Sequence, residues 1–310
     1  MEDNEGLTFI TIQDLTDQAR ILFVSDSVQD ILGWTPKELV GRSYFTFLYH
    51  EEVAAARVEA YETIQKDKAA AVTYLQLRHK RGGFVLCQTS RSVVHTAIIG
   101  TVSKAVAGHR AFMKAATAQE VSVLTPSAAD RFQFRKWGTG SSPAAVWQPQ
   151  VPFDRLPTPS IRTGLILNRF SLTCPILYCT NACFIDPGFA QERSIYDFVA
   201  ESDEDEVRHL IEIAKGFGME GGVRSDGGFA YGKFLLYPPG RNSSVVAGSP
   251  KSQVSPRARG GRRSRDDSPT QASSSSSPPT YRPRRSGEIL VEAILSAHSD
   301  GLILILRRAP

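Results

Sequence analysis

The stretch from Pro238 to Gly287 constrains this chain more than any other. Thirteen Ser, eight Pro and five Gly make up 26 of its fifty residues, and Tyr281 is its only aromatic. Such a composition cannot bury enough apolar surface to offset the entropy of ordering it, so disorder is expected. Strand-like runs abut it on both sides, Lys233 to Tyr237 before and Ile289 to Leu295 after. It therefore reads as a long loop inside one domain, between two strands of a sheet. Loop closure becomes costlier only slowly with length, so a sheet can carry such an insertion.

The tract also changes the meaning of the overall charge. It holds ten Lys or Arg against two Asp or Glu, whereas all 310 residues together carry only +4. The rest of the chain is therefore net acidic, and a uniformly basic nucleic-acid-binding domain is excluded as the source of the pI of 8.9. No apolar run reaches the roughly 18 residues that a membrane span needs. The best candidate, Ile289 to Leu306, is interrupted by His298-Ser299-Asp300-Gly301. The acidic start Met1-Glu2-Asp3-Asn4-Glu5 is unlike a secretory signal, and four cysteines do not make a disulfide scaffold. An intracellular, soluble protein without a membrane partner is expected.

A second break in the pattern runs from Pro126 to Ser160, with six prolines and with Trp137 and Trp147 between them. Proline removes backbone donors, so 126–160 reads as an extended connector. Trp137, Trp147, Phe132, Phe134 and Phe153 imply that it lies against a domain surface. On either side lie two blocks, 1–125 and 161–310, the second holding the insertion at 238–287. In the first, Thr8 to Gln13 and Ala19 to Val24 read as strands. Short helices follow, then a helix from Glu51 to Gln65, then strands at Ala71 to His79, Gly83 to His95 and Glu120 to Thr125. Arg81-Gly82-Gly83 marks a hairpin. The second block repeats the order, with strands at Leu165 to Ser171 and Pro175 to Thr180 and a helix from Ser202 to Lys215. Its last strands are Phe229 to Tyr237, Glu288 to Ala297 and Gly301 to Arg308. One element order used twice indicates a duplicated fold.

Ser25-Asp26-Ser27-Val28 followed by Ile31-Leu32-Gly33-Trp34 and Glu38-Leu39-Val40-Gly41-Arg42 resembles the core signature of PAS domains. Phe47-Leu48-Tyr49-His50-Glu51-Glu52 and His79-Lys80-Arg81-Gly82-Gly83-Phe84 resemble later PAS segments. In the second block, Ser194 to Val199, Asp203 to Arg208 and Ser225 to Phe229 are similar to PAS segments of fungal white-collar-type multi-PAS regulators. The resemblance implies an α+β fold of two PAS domains. Each would be a five-stranded antiparallel sheet with helices on one face, and disordered segments would accompany them. It also implies a sensory or protein-interaction regulator in signalling or transcription control, acting by dimerising with another PAS-containing protein or with itself. Two departures matter. Tyr44 stands where light-sensing relatives carry the flavin-reactive cysteine, and no C-x-x-C pair is present for the family's zinc finger.

The residues themselves give little reason to expect catalysis, because P-loop, H-E-x-x-H and G-x-S-x-G motifs are absent. The chain is read as no enzyme, with no metal site and no resident cofactor. A flavin- or haem-gated chemosensor and a DNA-binding regulator are the alternatives. Cys174, Cys179 and Cys183 fit no structural zinc spacing, and with Cys87 they read as small buried residues. His50, His209 and His298 are the histidines near helices or turns, His209 being the one roughly placed for a haem. The acidic run from Glu201 to Glu206 reads as the start of a helix, where carboxylates oppose the dipole. Within the basic tract, Arg257, Arg259, Arg262, Arg263 and Arg265 form one cluster and Arg282, Arg284 and Arg285 another. Their spacing resembles a nuclear-import signal read by an import receptor, which implies a nuclear or nucleo-cytoplasmic protein. Binding of nucleic acid by these arginines would be weak and non-specific. Ser249, Ser255, Ser268 and Ser277 each precede proline and are candidate sites for a proline-directed kinase. Each phosphate adds about −1.5 to −2 charges, so four would offset the tract's positive charge.

Overall fold

The computed structural model of the protein describes residues 6–132, 151–216, 229–241 and 287–310. The first unit opens with β1 (Thr8–Asp14), β2 (Ile21–Val24), α1 (Val28–Leu32), α2 (Pro36–Leu39) and a 3-10 turn at Tyr44–Phe47. It continues with α3 (Val53–Gln65), β3 (Ala71–Arg78), β4 (Phe84–Val94), β5 (Ala97–Lys104), α4 (His109–Thr117), β6 (Glu120–Val123) and α5 (Ala129–Phe132). The second unit comprises β7 (Arg162–Leu167), β8 (Ile176–Cys179), α6 (Pro187–Ala190), a 3-10 turn at Ile195–Phe198 and α7 (Glu204–Gly216). Its remaining strands are β9 (Phe229–Leu236), β10 (Ile289–Ala297) and β11 (Leu302–Arg308).

The two sheets are ordered β2-β1-β5-β4-β3-β6 and β8-β7-β11-β10-β9. Leaving β6 aside, these are the same order, so the duplication read from element order is a duplication of topology. The fold is the expected α+β, and the first sheet carries one strand more than expected. That sixth strand is parallel to β3, pairing Ala71 with Glu120 and Tyr74 with Val123. The strand expected at 120–125 is therefore an addition at the sheet's end. The central fifth strand is β5, which follows β4 after a reversal at His95-Thr96 with no Gly or Pro to announce it. His95 supplies the positive φ of 58° that such a turn needs.

Strand periodicity of two gives each sheet two faces. In the first unit, Phe9, Leu75, Leu77, Cys87 and Val102 point to the helices and meet Phe45, Phe47, Ala56 and Ala60. Ala56 and Ala60, one turn apart on α3, let the helix lie close to the sheet. The opposite face of β3 and β6 is closed by α4 and α5, with Val72, Tyr74, Ala111, Ala118, Ala128 and Phe132 in one cluster. Phe132 stacks on Tyr74 at 4.3 Å, and Phe153 meets the Tyr61 ring edge-on at 5.6 Å. Both ends of the expected connector thus lie against the first unit. Trp137, Trp147 and Phe134 fall outside the described residues.

The outer faces of the two sheets pack on each other. Ile10, Ile12, Val94, Ala97 and Ile99 of the first sheet meet Ile166 and Ile303 of the second, with Phe23, Tyr178 and Ile305 at the margin. A polar rim surrounds this patch. Thr8 N donates to Ser299 Oγ at 2.6 Å, Ser27 N donates to Asp300 Oδ2 at 2.9 Å, and Asn181 Nδ2 donates to Val94 O at 3.3 Å. Arg162 grips Asp67 with two bonds of 3.0 and 3.1 Å. At the rim lies His298, whose Nδ1 is buried without a partner among the described residues while Nε2 meets Ser296 Oγ at 2.9 Å. Burial, and then the charges of Lys114 and Arg169, push the His298 pKa down to about 3.

A histidine whose folded pKa is below its unfolded value makes its full contribution to stability above pH 6.5 and loses it as pH falls toward 3. The unfolding free energy should therefore decline by up to about 1.4 kcal/mol per pH unit in that window through this one site. His298→Asn should flatten the pH dependence relative to the parent protein in urea unfolding at stepped pH. Parallel curves for the two proteins would contradict the assignment.

Candidate functional site: the polar interior of the first unit

Topology and hydrogen bonds place the two units in register residue by residue. Glu52 Oε2 accepts Gln76 N at 2.7 Å, and Asp203 Oδ2 accepts Leu235 N at 2.7 Å. Tyr49 N donates to Gln76 O, and Ala200 N donates to Leu235 O. Gln76 thus corresponds to Leu235, and Glu52 to Asp203. Counting along the strands and helices from these anchors gives every other equivalence.

The comparison isolates one feature. In the first unit, Arg91 of β4 points from the sheet toward α3 and pairs with Glu59, the arginine being buried and the carboxylate nearly so. Arg91 Nη2 donates to Thr73 Oγ1 at 2.8 Å, and Thr73 Oγ1 donates to Glu59 Oε1 at 3.0 Å. Thr63 donates to the same carboxylate oxygen at 3.2 Å. Arg91 Nε is buried with no hydrogen-bond partner among the described residues. The Arg91 stem lies over Gly100, whose added β-carbon would sit 3.1 Å from Arg91 Cγ. Thr11, directly across the strand pair from Gly100, is buried on the same face, as is Gln13.

In the second unit, all of these positions are apolar. Glu59 corresponds to Leu210, Thr63 to Ala214, Thr73 to Gly232 and Arg91 to Leu295. Gly100 corresponds to Leu304, Thr11 to Leu165 and Gln13 to Leu167. Leu210 packs on the core, and Ala214, Leu295, Leu304, Leu165 and Leu167 lie within it. A β-carbon on Gly232 would overlap Leu210 Cδ1, so the glycine makes room for the leucine that replaces the carboxylate. The same fold therefore closes without any of the polar groups. Replacing a buried ion pair by packed apolar side chains is commonly neutral or stabilising. The polar cluster is not something the architecture demands.

The electrostatics suit a dry site. Burial alone would lower the Arg91 pKa, but the Glu59 and Tyr44 charges and the Glu59 hydrogen bond raise it. Tyr44, at the position expected to replace the reactive cysteine, is buried in this interior, and burial pushes its phenol up. Burial likewise pushes the Cys87 thiol up to about 12, so it stays protonated and unreactive at neutral pH.

Among the described residues, the other residues singled out from sequence do not converge on a site. Cys174 and Cys179 are buried and Cys183 is exposed. Cys174 Sγ contacts Ser171 O at 3.3 Å, and Cys179 Sγ contacts Asn181 O at 3.2 Å. Among the described residues, no group of three metal-ligating side chains comes together. His50 is exposed beside Glu51, and His209 lies on the exposed side of α7. Glu204, Asp205 and Glu206 occupy the first turn of α7. Glu204 pairs with Arg208 and Arg241, which lowers its pKa. Arg257, Arg259, Arg262, Arg263, Arg265, Arg282, Arg284 and Arg285 lie outside the described residues, as do Ser249, Ser255, Ser268 and Ser277. Sequence reading missed Glu59 and Arg91. The available signal was the inward parity of Arg91 with Cys87 and Val93, together with a leucine at the matching place in the repeat.

A protein-family profile described as PAS fold matches residues 21–102. Those residues are a PAS domain. The match takes in Tyr44, Glu59, Thr73 and Arg91, so the polar cluster belongs to the PAS interior. No curated protein matches the chain in sequence. Among solved structures, Cycle PAS-B of Drosophila melanogaster with bound ethylene glycol is 17% identical, covering 31% of this chain and 99% of that one at a TM-score of 0.29. The PAS domain of the Cronobacter turicensis quorum-sensing receptor RpfR, in complex with BDSF, is 17% identical, covering 34% and 99% at a TM-score of 0.29. The N-terminal domain of a Marinobacter aquaeolei diguanylate cyclase with PAS/PAC sensor is 13% identical, covering 31% and 94% at 0.28. A PAS domain of this kind fits a signalling sensor or regulator. Among the described residues, no helix is long and apolar enough to cross a membrane.

Removing one partner of the buried pair strands the other. Arg91→Leu should lower the unfolding free energy by about 3–5 kcal/mol, measured by urea denaturation near neutral pH. A loss below about 1 kcal/mol, the usual size for an exposed pair, would show that Glu59 is solvated.

Proposed function

We propose that the protein is a two-unit PAS-type sensory regulator whose input is the polar interior of the first unit. The observation behind this reading is the asymmetry of the duplicate. Glu59, Thr73 and Arg91 persist where Leu210, Gly232 and Leu295 satisfy the same fold. An orphaned, permanently charged Arg91 Nε inside a dry core favours a small molecule that offers a hydrogen-bond acceptor, such as a carboxylate or carbonyl compound. Such a molecule would compete for Arg91 with Glu59. The pair's rearrangement beneath α3 and the sheet is then the event to be relayed. This reading takes the chemosensor alternative in preference to input by dimerisation alone, and it assigns the chain no catalysis, resident flavin or haem.

We place the output outside the chain, in a protein partner of a signalling or transcription pathway, in keeping with the likeness to fungal white-collar-type regulators. The arginine clusters at 257–265 and 282–285 remain the proposed import address. The serines at 249, 255, 268 and 277 remain the proposed phosphorylation sites that would neutralise it. Thermal unfolding of the full chain, screened against small carboxylates and carbonyl compounds, tests the input. At least one compound should raise the Tm by several degrees through ligand linkage and do nothing for Glu59→Leu/Thr73→Gly/Arg91→Leu. Equal shifts in both proteins would put the binding elsewhere, and no shift for any compound would remove the proposed input.

A further inference from the structure

The duplication also exposes a difference at the far end of the two sheets. In the first unit the edge of β3 is covered by β6, and the outer face beside it is covered by α4 and α5. The matching edge is β9, whose neighbour in the sheet among the described residues is β10 alone. The matching outer face carries Phe229, Tyr231 and Ile294, which are 62%, 56% and 44% exposed. Tyr231 and Ile294 face each other across β9 and β10, and Ile294 faces Ile305 across β10 and β11. This row leads directly into the packed interface between the sheets, where Ile305 lies at the margin. Beside it, Glu292 is clamped by Lys233 at 2.9 Å and by Arg307 Nε at 2.6 Å, so the row carries two cations and one carboxylate.

The backbone is open in the same place. Leu235 sends its N–H to Asp203 and its C=O to Ala200, away from β10. By strand parity, Lys233, Tyr231 and Phe229 send theirs the same way. In the first unit the corresponding groups are met, with Gln119 N donating to Ala70 O and Leu124 N donating to Tyr74 O, both at 2.8 Å. Among the described residues nothing meets those of Phe229, Tyr231 and Lys233. An exposed strand edge beside exposed apolar side chains is a template for strand addition.

We propose that the β9 edge and its adjoining outer face dock a strand-and-helix segment of a protein partner, added parallel to β9 as β6 is added to β3. The segment carries apolar residues at alternate strand positions, as Val121 and Val123 do in β6, to cover Tyr231 and Ile294. It carries a carboxylate to meet the excess cation of the Lys233–Glu292–Arg307 row. The site rests on the reading that the output passes through a partner, and it names where and how that partner binds.

The probe is a fluorescent synthetic peptide of residues 105–125, the segment that fills the equivalent place in the first unit. It is titrated into the full-length chain and followed by anisotropy. The first unit's place is held by its own tethered segment, so the peptide reports on the second. Saturable binding is expected. It should weaken at least tenfold in Tyr231→Pro, which deletes an edge N–H that the ladder does not use, and in Ile294→Lys, which alters only an exposed side chain. Absence of saturable binding, or equal binding to Ile294→Lys and the parent, would overturn the proposal. So would a concentration-dependent dimer that Ile294→Lys abolishes, which would give the face to a second copy. No small molecule is present in this titration, so its failure leaves the proposed input of the first unit to be judged by the thermal screen.

Discussion

Every strand shows side chains alternately to two sides, so two sheets present four faces, and each needs a cover. The helices supply two of those covers. Ile10, Ile12, Val94 and Ile99 against Ile166 and Ile303 supply part of the other two by closing the sheets on each other. The remaining outer face of the first sheet is closed from within the chain by α4, α5 and β6. Because the sheet-to-sheet patch is apolar and its rim is hydrogen-bonded, the two units form one body. Thr8, Ser27 and Val94 on one side and Ser299, Asp300 and Asn181 on the other carry that hydrogen-bonded rim.

Within that frame the duplicate acts as an internal control. Both units use an acidic residue, Glu52 or Asp203, to fix the long helix onto a strand N–H. That shared bond is structural. The residues seven positions further along the helices, Glu59 and Leu210, differ in charge, and so do their neighbours Arg91 and Leu295. A buried ion pair gains Coulomb energy only after a large desolvation cost, which well-packed leucines avoid. Its presence in one copy and absence in the other shows that the shared topology does not require it.

Much of this was readable in advance, and for identifiable reasons. The element order and the long helix of each unit follow from strand and helix periodicities. The strand β5 was not readable, because its hairpin turns on His95 and Thr96 in place of glycine or proline. The run at 120–125 reads as a fifth strand, whereas β6 is a sixth, added at the sheet's end. The ion pair was hidden by its composition: Gln88-Thr89-Ser90-Arg91-Ser92 looks like a solvated strand until its parity with Cys87 and Val93 is counted. The docking edge was hidden for the opposite reason. Phe229, Tyr231 and Ile294 look like core residues, and only the sheet shows them facing outward.

The central claim is that the polar interior of the first unit is carried for a role other than folding. It is tested most directly by giving that unit the residues of its duplicate. The unfolding free energy of Glu59→Leu/Thr73→Gly/Arg91→Leu, measured by urea denaturation, should equal or exceed that of the parent protein. A triple variant as unstable as one with a single stranded charge would show that the fold itself depends on the pair, and would contradict the claim.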